Sequence, residues 1–165
     1  MNERFANEME QWDFDVLTKL NEDAHILTSL TKLPEKHCTD ASGVTALGSR
    51  VLIELKARKE ETLKYNDFFI ESKKVAYLLL KNVAEGYIPL YINYIGDTIG
   101  EYPKKIIIWK MNKIKDWEYY PAVKTYSELY QRYEYSERFG LKYTDAAVYQ
   151  LLNGKYTLTK WNEKK

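Results

Sequence analysis

The clearest pattern in the chain lies at 50–58, where Arg50-Val51-Leu52-Ile53-Glu54-Leu55-Lys56-Ala57-Arg58 combines aliphatic and charged residues at strand spacing. Side chains of a strand alternate between faces, so Val51, Ile53, Leu55 and Ala57 are predicted to enter a core while Leu52, Glu54, Lys56 and Arg58 share the other face. Upstream, Met9, Trp12, Val16, Leu17 and Leu20 recur near the helical period without proline or glycine, which predicts a helix over 7–21. Residues 23–33 fit either a second helix or a first strand, and Pro34 ends both. Residues 39–43 read as a strand end or a turn, because Asp40, Ser42 and Gly43 favour irregular backbone.

After an exposed, charged link at 59–61, Phe68-Phe69-Ile70 is predicted to be a further strand of the same sheet. Ser72 offers an oxygen to cap a helix over 73–85, with Val75, Leu78, Leu79 and Val83 inward and Gly86 as its left-handed stop. Strands follow at 88–95 and 105–111, and Ile106-Ile107-Ile108-Trp109 is apolar enough to require cover on both faces. Between 116 and 143 tyrosine dominates, at Tyr119, Tyr120, Tyr126, Tyr130, Tyr133, Tyr135 and Tyr143, interleaved with Lys124, Arg132, Arg138 and Lys142. The element type there is left open. A short helix is predicted over 145–152, capped by Thr144 and ended by Gly154, followed by a loose tail at 161–165.

A length of 165 residues with 45% hydrophobic content suits one domain spanning 1–165. No run approaches the ~20 apolar residues that cross a bilayer, and the N-terminus lacks a signal pattern, so a cytoplasmic protein without membrane partners is expected. The single cysteine, Cys38, excludes an intrachain disulfide, and with only His25 and His37 beside it a structural zinc site is poorly supplied. Charge is unevenly spread. Residues 1–71 carry 9 basic and 14 acidic side chains, whereas 72–165 carry 16 and 10, so the second half is the one suited to a polyanion.

Glu54-Leu55-Lys56 places a carboxylate and an ammonium side by side on one strand face. With 24 acids and 20 lysines, roughly three acid-x-Lys triplets arise by chance, a risk all short motifs share. Three occur, the others being Glu71-Ser72-Lys73 and Glu163-Lys164-Lys165, and only Glu54-Leu55-Lys56 sits in a strand pattern with a second acid, Asp40, upstream. Phosphodiester hydrolysis needs a positioned water and charge stabilisation on both entering and leaving oxygens, which a divalent metal supplies. Asp40 and Glu54 would ligate Mg²⁺, with Mn²⁺ able to substitute, and the carbonyl of Leu55 adds an oxygen. Lys56 would orient the attacking water or take its proton. The plainer reading of Glu54 and Lys56 is a surface ion pair, and of Asp40 a turn-forming aspartate.

These residues resemble the PD-(D/E)XK nuclease superfamily, restriction-endonuclease-like and Holliday-junction-resolvase-like, in which an acid on one strand precedes an acid-x-Lys on the next. The resemblance covers about 7–111 and leaves a tyrosine-rich extension at 112–165. It implies an α/β fold with a central mixed sheet flanked by helices, and hydrolysis of DNA, with RNA a second substrate class and a homodimer a candidate assembly. It also implies an acid on the first helix, for which Glu10 and Glu22 are the candidates. Two departures stand out: Thr39 replaces the proline that often precedes the first acid, and the helix after the catalytic strand lacks a Gln-x-x-x-Tyr element. Lys73 and Lys74 open that helix instead and, with Arg58, Arg132 and Arg138, are candidates for nucleic-acid contact. The tyrosines read first as packing or interface material, with base stacking as the alternative. A nuclease-like module that binds nucleic acid or protein without catalysis is the second functional reading.

Overall fold

The computed structural model describes residues 3–65, 68–96, 98–127 and 130–160, apart from the side chains of Glu3 and Phe5. Asp97, the tail at 161–165 and the triplet Glu163-Lys164-Lys165 lie outside the described residues.

Helix α1 (Glu3–Ala24) runs longer than the apolar pattern alone suggests, and His25, with a left-handed φ of 51°, turns the chain out of it. The side chain of Asn21 then brackets Leu27, accepting from its N–H at 2.7 Å and donating to its carbonyl at 3.1 Å, which fixes the entry into β1 (Leu27–Lys32). Residues 23–33 are thus a helix end, a turn and a strand. β1, β2 (Ala41–Thr45) and β3 (Arg50–Arg58) form an antiparallel meander. Gly43 is required in it, since a Cβ there would sit 2.6 Å from the carbonyl oxygen of Ser29.

A short helix, α2 (Glu61–Tyr65), leads to β4 (Phe68–Glu71), then α3 (Ser72–Glu85) crosses back to β5 (Ile88–Ile95), parallel to β3 with Glu54 opposite Tyr91. β6 (Lys105–Lys110) pairs antiparallel with β5. After β7 (Glu118–Ser127) and β8 (Arg132–Leu141), β9 (Ala147–Leu152) and β10 (Lys155–Lys160) return to extend the main sheet. Its order is β1-β2-β3-β5-β6-β9-β10, a mixed sheet in which β3 and β5 are the parallel pair, and β4-β8-β7 form a separate three-stranded sheet. The fold is therefore α/β with a central mixed sheet flanked by helices, and that sheet continues well beyond residue 111.

The alternation in β3 does what its pattern predicts. Val51, Ile53 and Leu55 pack under Val16, Leu17 and Leu20 of α1, whereas Leu52 faces Val75 and Leu78 of α3 together with Phe68, Ile70 and Trp109. Each such buried side chain contributes about 1.5–3 kcal/mol of burial free energy. Ile106, Ile107 and Trp109 are fully buried between the two layers.

Three expectations are corrected and one open reading is resolved. Phe68-Phe69-Ile70 joins β8 in the second sheet, because α3 places β5 rather than β4 beside β3. α3 starts at Ser72 with Glu71 in the N-cap position and no side-chain cap bond; Gly86 is its left-handed stop at φ 73°, but Val83 is 84% exposed. The tyrosine-rich stretch is the β7–β8 hairpin. Residues 147–152 are a strand rather than a helix: Val148 faces one core and Tyr149 and Leu151 the other, and a run buried on both faces carries no period that separates strand from helix. Asn153-Gly154, with φ of 50° and 77°, is the tight hairpin turn that marks this strand pair, a signal readable in the sequence.

Candidate active site

Three hydrogen bonds hold Asp40, two of them to the middle of β3. Its N–H donates to the carbonyl of Ile53 at 3.0 Å, its carbonyl accepts from Leu33 at 2.9 Å, and one carboxylate oxygen accepts the N–H of Leu55 at 2.7 Å. Asp40 leads into β2, whose first residue, Ala41, pairs with Ile53, and its charge lies close enough to raise the carboxyl of Glu54, the next residue of β3. The carbonyl of Leu55 points to the same edge as its N–H, the edge at which Asp40 sits. Thr39 explains its own departure from the superfamily pattern: its N–H donates to His37 Nδ1 at 3.2 Å, a bond proline lacks.

Glu54 is 9% exposed, one of the few charged side chains inside the fold. Its Oε1 pairs with Lys74 Nζ at 2.7 Å, while Oε2 is buried with no hydrogen-bond partner. Burial first, and then the nearby charge of Asp40, push its carboxyl up to about 7, against the pull of Lys74 and Lys56. A buried carboxylate oxygen that lacks a donor and faces a second carboxylate is an arrangement that a cation satisfies. Lys74 also donates to the carbonyl of Cys38 at 2.9 Å; burial opposes its charge, but Glu54 outweighs that and holds the ammonium above its ordinary range. Lys56 is exposed, and its charge reaches both Glu54 and Asp13.

Asp13 is the residue that sequence reasoning missed. It donates nothing and accepts a hydrogen bond from the Tyr94 hydroxyl, and burial, with Asp40 adding to it, pushes its carboxyl up to about 6 despite that bond. Glu10, Asp13 and Asp40 line one cleft with His37, Thr39 and Leu55. Glu10 is one helical step of three residues from Asp13, on the same side of α1; Glu22 is exposed and, nine residues from Asp13 at about 100° each, points the opposite way, so it is excluded from the site. The signal was present: Asp13 precedes Val16, Leu17 and Leu20 at i+3, i+4 and i+7, an acid on the apolar stripe of the helix.

The other candidates divide. Arg58 is committed to the fold, with its Nε on Asn93 Oδ1 at 2.9 Å and one terminal nitrogen on the Phe69 carbonyl at 2.6 Å and the Tyr91 hydroxyl at 2.9 Å. Two of its three guanidinium nitrogens are thereby engaged within the fold. Lys74 belongs to Glu54, whereas Lys73 is exposed beside it on α3. Arg132 pairs with Glu134 at 3.2 Å, and Arg138 donates to Ser136 Oγ at 2.8 Å, both on β8 and away from the acids. Among the described residues no three His, Cys, Asp or Glu side chains form a ready-made metal cluster, so a cation at this edge would rest on Asp40, Glu54 and backbone oxygen.

No protein-family model matches the chain, and no curated protein matches it. Among solved structures the fold is similar to the 1.6 Å structure of Hjc, a Holliday junction resolvase from the archaeal hyperthermophile Archaeoglobus fulgidus, with a TM-score of 0.49 and 12% identity over 81% of this chain and 83% of that one. That likeness concerns the path of the chain, and the chemistry has to be read from the side chains.

Proposed function

We propose that the protein is a divalent-metal-dependent nuclease acting on DNA, with Asp40 and Glu54 as the acidic pair and Lys56 beside them. The observation that carries this reading is the buried, unpartnered Oε2 of Glu54, near an aspartate anchored to the same strand by the Leu55 N–H. Asp40, Glu54 and the Leu55 carbonyl are hard oxygen donors of the kind that Mg²⁺ prefers, and Mn²⁺ accepts the same set. Such an ion, when bound, lowers the pKa of water and offsets negative charge on a phosphoryl group.

The residues supply the rest. Asp40 is oriented through its bond to Leu55, so its second oxygen is free to face the cleft. Glu54 is held from one side by Lys74, which fixes the carboxylate and leaves the buried Oε2 without a partner, the oxygen a cation would take. Lys56, two residues along the same strand face, carries a cation that would orient the attacking water and offset the negative charge gathering on the phosphoryl oxygens. Asp13 and Glu10 extend the acidic lining, with Asp13 fixed by Tyr94.

The test is cleavage of plasmid, single-stranded and branched DNA with Mg²⁺ or Mn²⁺ against chelator. Cleavage is expected only with metal, and Glu54→Ala and Lys56→Ala are each expected to slow it by about 100-fold or more. Full activity in either variant would falsify the assignment. The second reading, a binding module without turnover, is favoured by the Lys74–Glu54 ion pair, which already neutralises one acid; salt-sensitive DNA binding with no cleavage under any metal would establish it.

A further inference from the structure

The β7–β8 hairpin carries a surface that the acidic site does not use. In its register Tyr126 lies opposite Tyr133 and Lys124 opposite Tyr135, so these four side chains share one face. Tyr126, Tyr133 and Tyr135 are 50%, 61% and 67% exposed, which corrects the expectation that they serve as packing. They are nonetheless organised: Tyr126 and Tyr133 meet edge to face with ring centroids 5.3 Å apart, and Lys124 Nζ lies 4.3 Å from the centre of the Tyr133 ring. Arg132, Glu134 and Arg138 belong to the opposite face by alternation, and it is there that Arg138 also reaches Thr125.

The hairpin also has a defined relation to the acids. Arg138 stands opposite Glu71, the N-cap residue of α3, in the β4–β8 ladder, and Lys74 on the first turn of that helix holds Glu54. β8 residues 132–137 have no partner in β4 and run on past Glu71 for about 20 Å at ~3.3 Å per residue. β7 is the outer strand of this sheet, so the tyrosine face ends in an open margin. The bulge between Tyr120 and Val123, at Pro121, bends the strand where its ladder is broken.

We propose that this face, Lys124, Tyr126, Tyr133 and Tyr135, binds a single-stranded stretch of nucleic acid by stacking its unpaired bases, and so directs the site toward DNA with a single-stranded portion. Exposed tyrosine rings offer flat apolar platforms that any base can cover, while duplex DNA keeps the faces of its bases stacked inside the helix. Lys124, 4.3 Å from the centre of the Tyr133 ring, supplies a cation for the phosphate backbone beside the stacked bases. The proposal rests on the nuclease reading only for its consequence; binding itself does not require turnover.

The experiment is fluorescence anisotropy of a labelled oligothymidine and of a labelled duplex of the same length, in chelator, so that no cleavage intervenes. Wild-type protein is expected to bind the single strand more tightly than the duplex. The triple variant Tyr126→Ala/Tyr133→Ala/Tyr135→Ala is expected to lose at least about tenfold in single-strand affinity, and the corresponding Tyr→Phe variant to stay within about twofold, because the ring and not the hydroxyl stacks. Equal affinity for both DNAs, or an alanine variant that binds the single strand like wild type, overturns the proposal. So does concentration-dependent self-association that the alanine variant abolishes, since the face would then join copies of this chain. Single-strand binding by Glu54→Ala at wild-type affinity, alongside no cleavage by wild type under any metal, would retain this proposal and remove the nuclease reading.

Discussion

Glu54 is where the chemistry of the chain is concentrated. Its carboxylate sits among apolar side chains of β3 and α3 because strand alternation puts it there, and the fold offers it one ammonium, one nearby aspartate and one empty oxygen. Proton linkage follows with a definite sign. The carboxyl is raised from 4.5 to about 7, so in that interval the folded chain keeps a proton that the unfolded chain releases, and stability falls as pH rises through it and levels off above. Glu54→Gln removes this dependence. Without divalent metal, the variant is expected to gain up to roughly 3 kcal/mol over wild type between about pH 5 and pH 8, as read from urea midpoints. A wild-type and variant difference that stays constant across that range would contradict the burial argument. Asp13 titrates in both proteins and leaves the comparison intact.

At the scale of elements, two arginines that look alike in sequence behave differently. Arg58 is part-buried and its guanidinium meets Asn93, Phe69 and Tyr91, joining β3 and β5 to β4 across the two sheets. Arg132 lies on the exposed hairpin, with its side chain 68% exposed in its pair with Glu134. Arg58→Ala is expected to cost about 2–4 kcal/mol and Arg132→Ala no more than about 0.5 kcal/mol, measured by urea denaturation. Equal losses would mean that the Arg58 bonds do not tie the sheets together. The elements most legible in the sequence are those with one buried face or firm end signals: the α1 stripe, the β3 alternation, and the Gly86 stop of α3. Less legible were β9, buried on both faces, and β4, whose partner lies about 70 residues away on β8. Local pattern contains no information on which sheet a short apolar run will join. The site divides in the same way. Asp40, Glu54 and Lys56 are proposed from spacing and strand context, whereas the nearness of Asp13 and Lys74 to them depends on α1 and α3 packing on opposite faces of the same sheet.

Across the whole molecule, the main sheet brings the two faces of β3 into different company. α1 brings Asp13 and Glu10 toward Asp40 from one side, and α3 brings Lys74 to Glu54 from the other. The parallel β3–β5 pair, made possible by the α3 crossover, buries the strand between them on both faces, and that burial is what raises Glu54. The second sheet adds a projecting hairpin from the end of β4 next to α3. Lys74 of α3 reaches Glu54, and Glu71, just before that helix, stands opposite Arg138 of β8, so β4 and α3 link the acidic edge to the second sheet. No described helix is long and apolar enough to cross a membrane.

The measurement that bears most directly on this account is calorimetric titration of Mn²⁺ into the protein at about pH 8, where Glu54 is ionised. One saturable site per chain is predicted, weaker at about pH 5 as the carboxyl takes up its proton and lost in both Asp40→Ala and Glu54→Ala. No saturable binding by wild type, or undiminished binding by either variant, would contradict the claim that these two acids form a metal site.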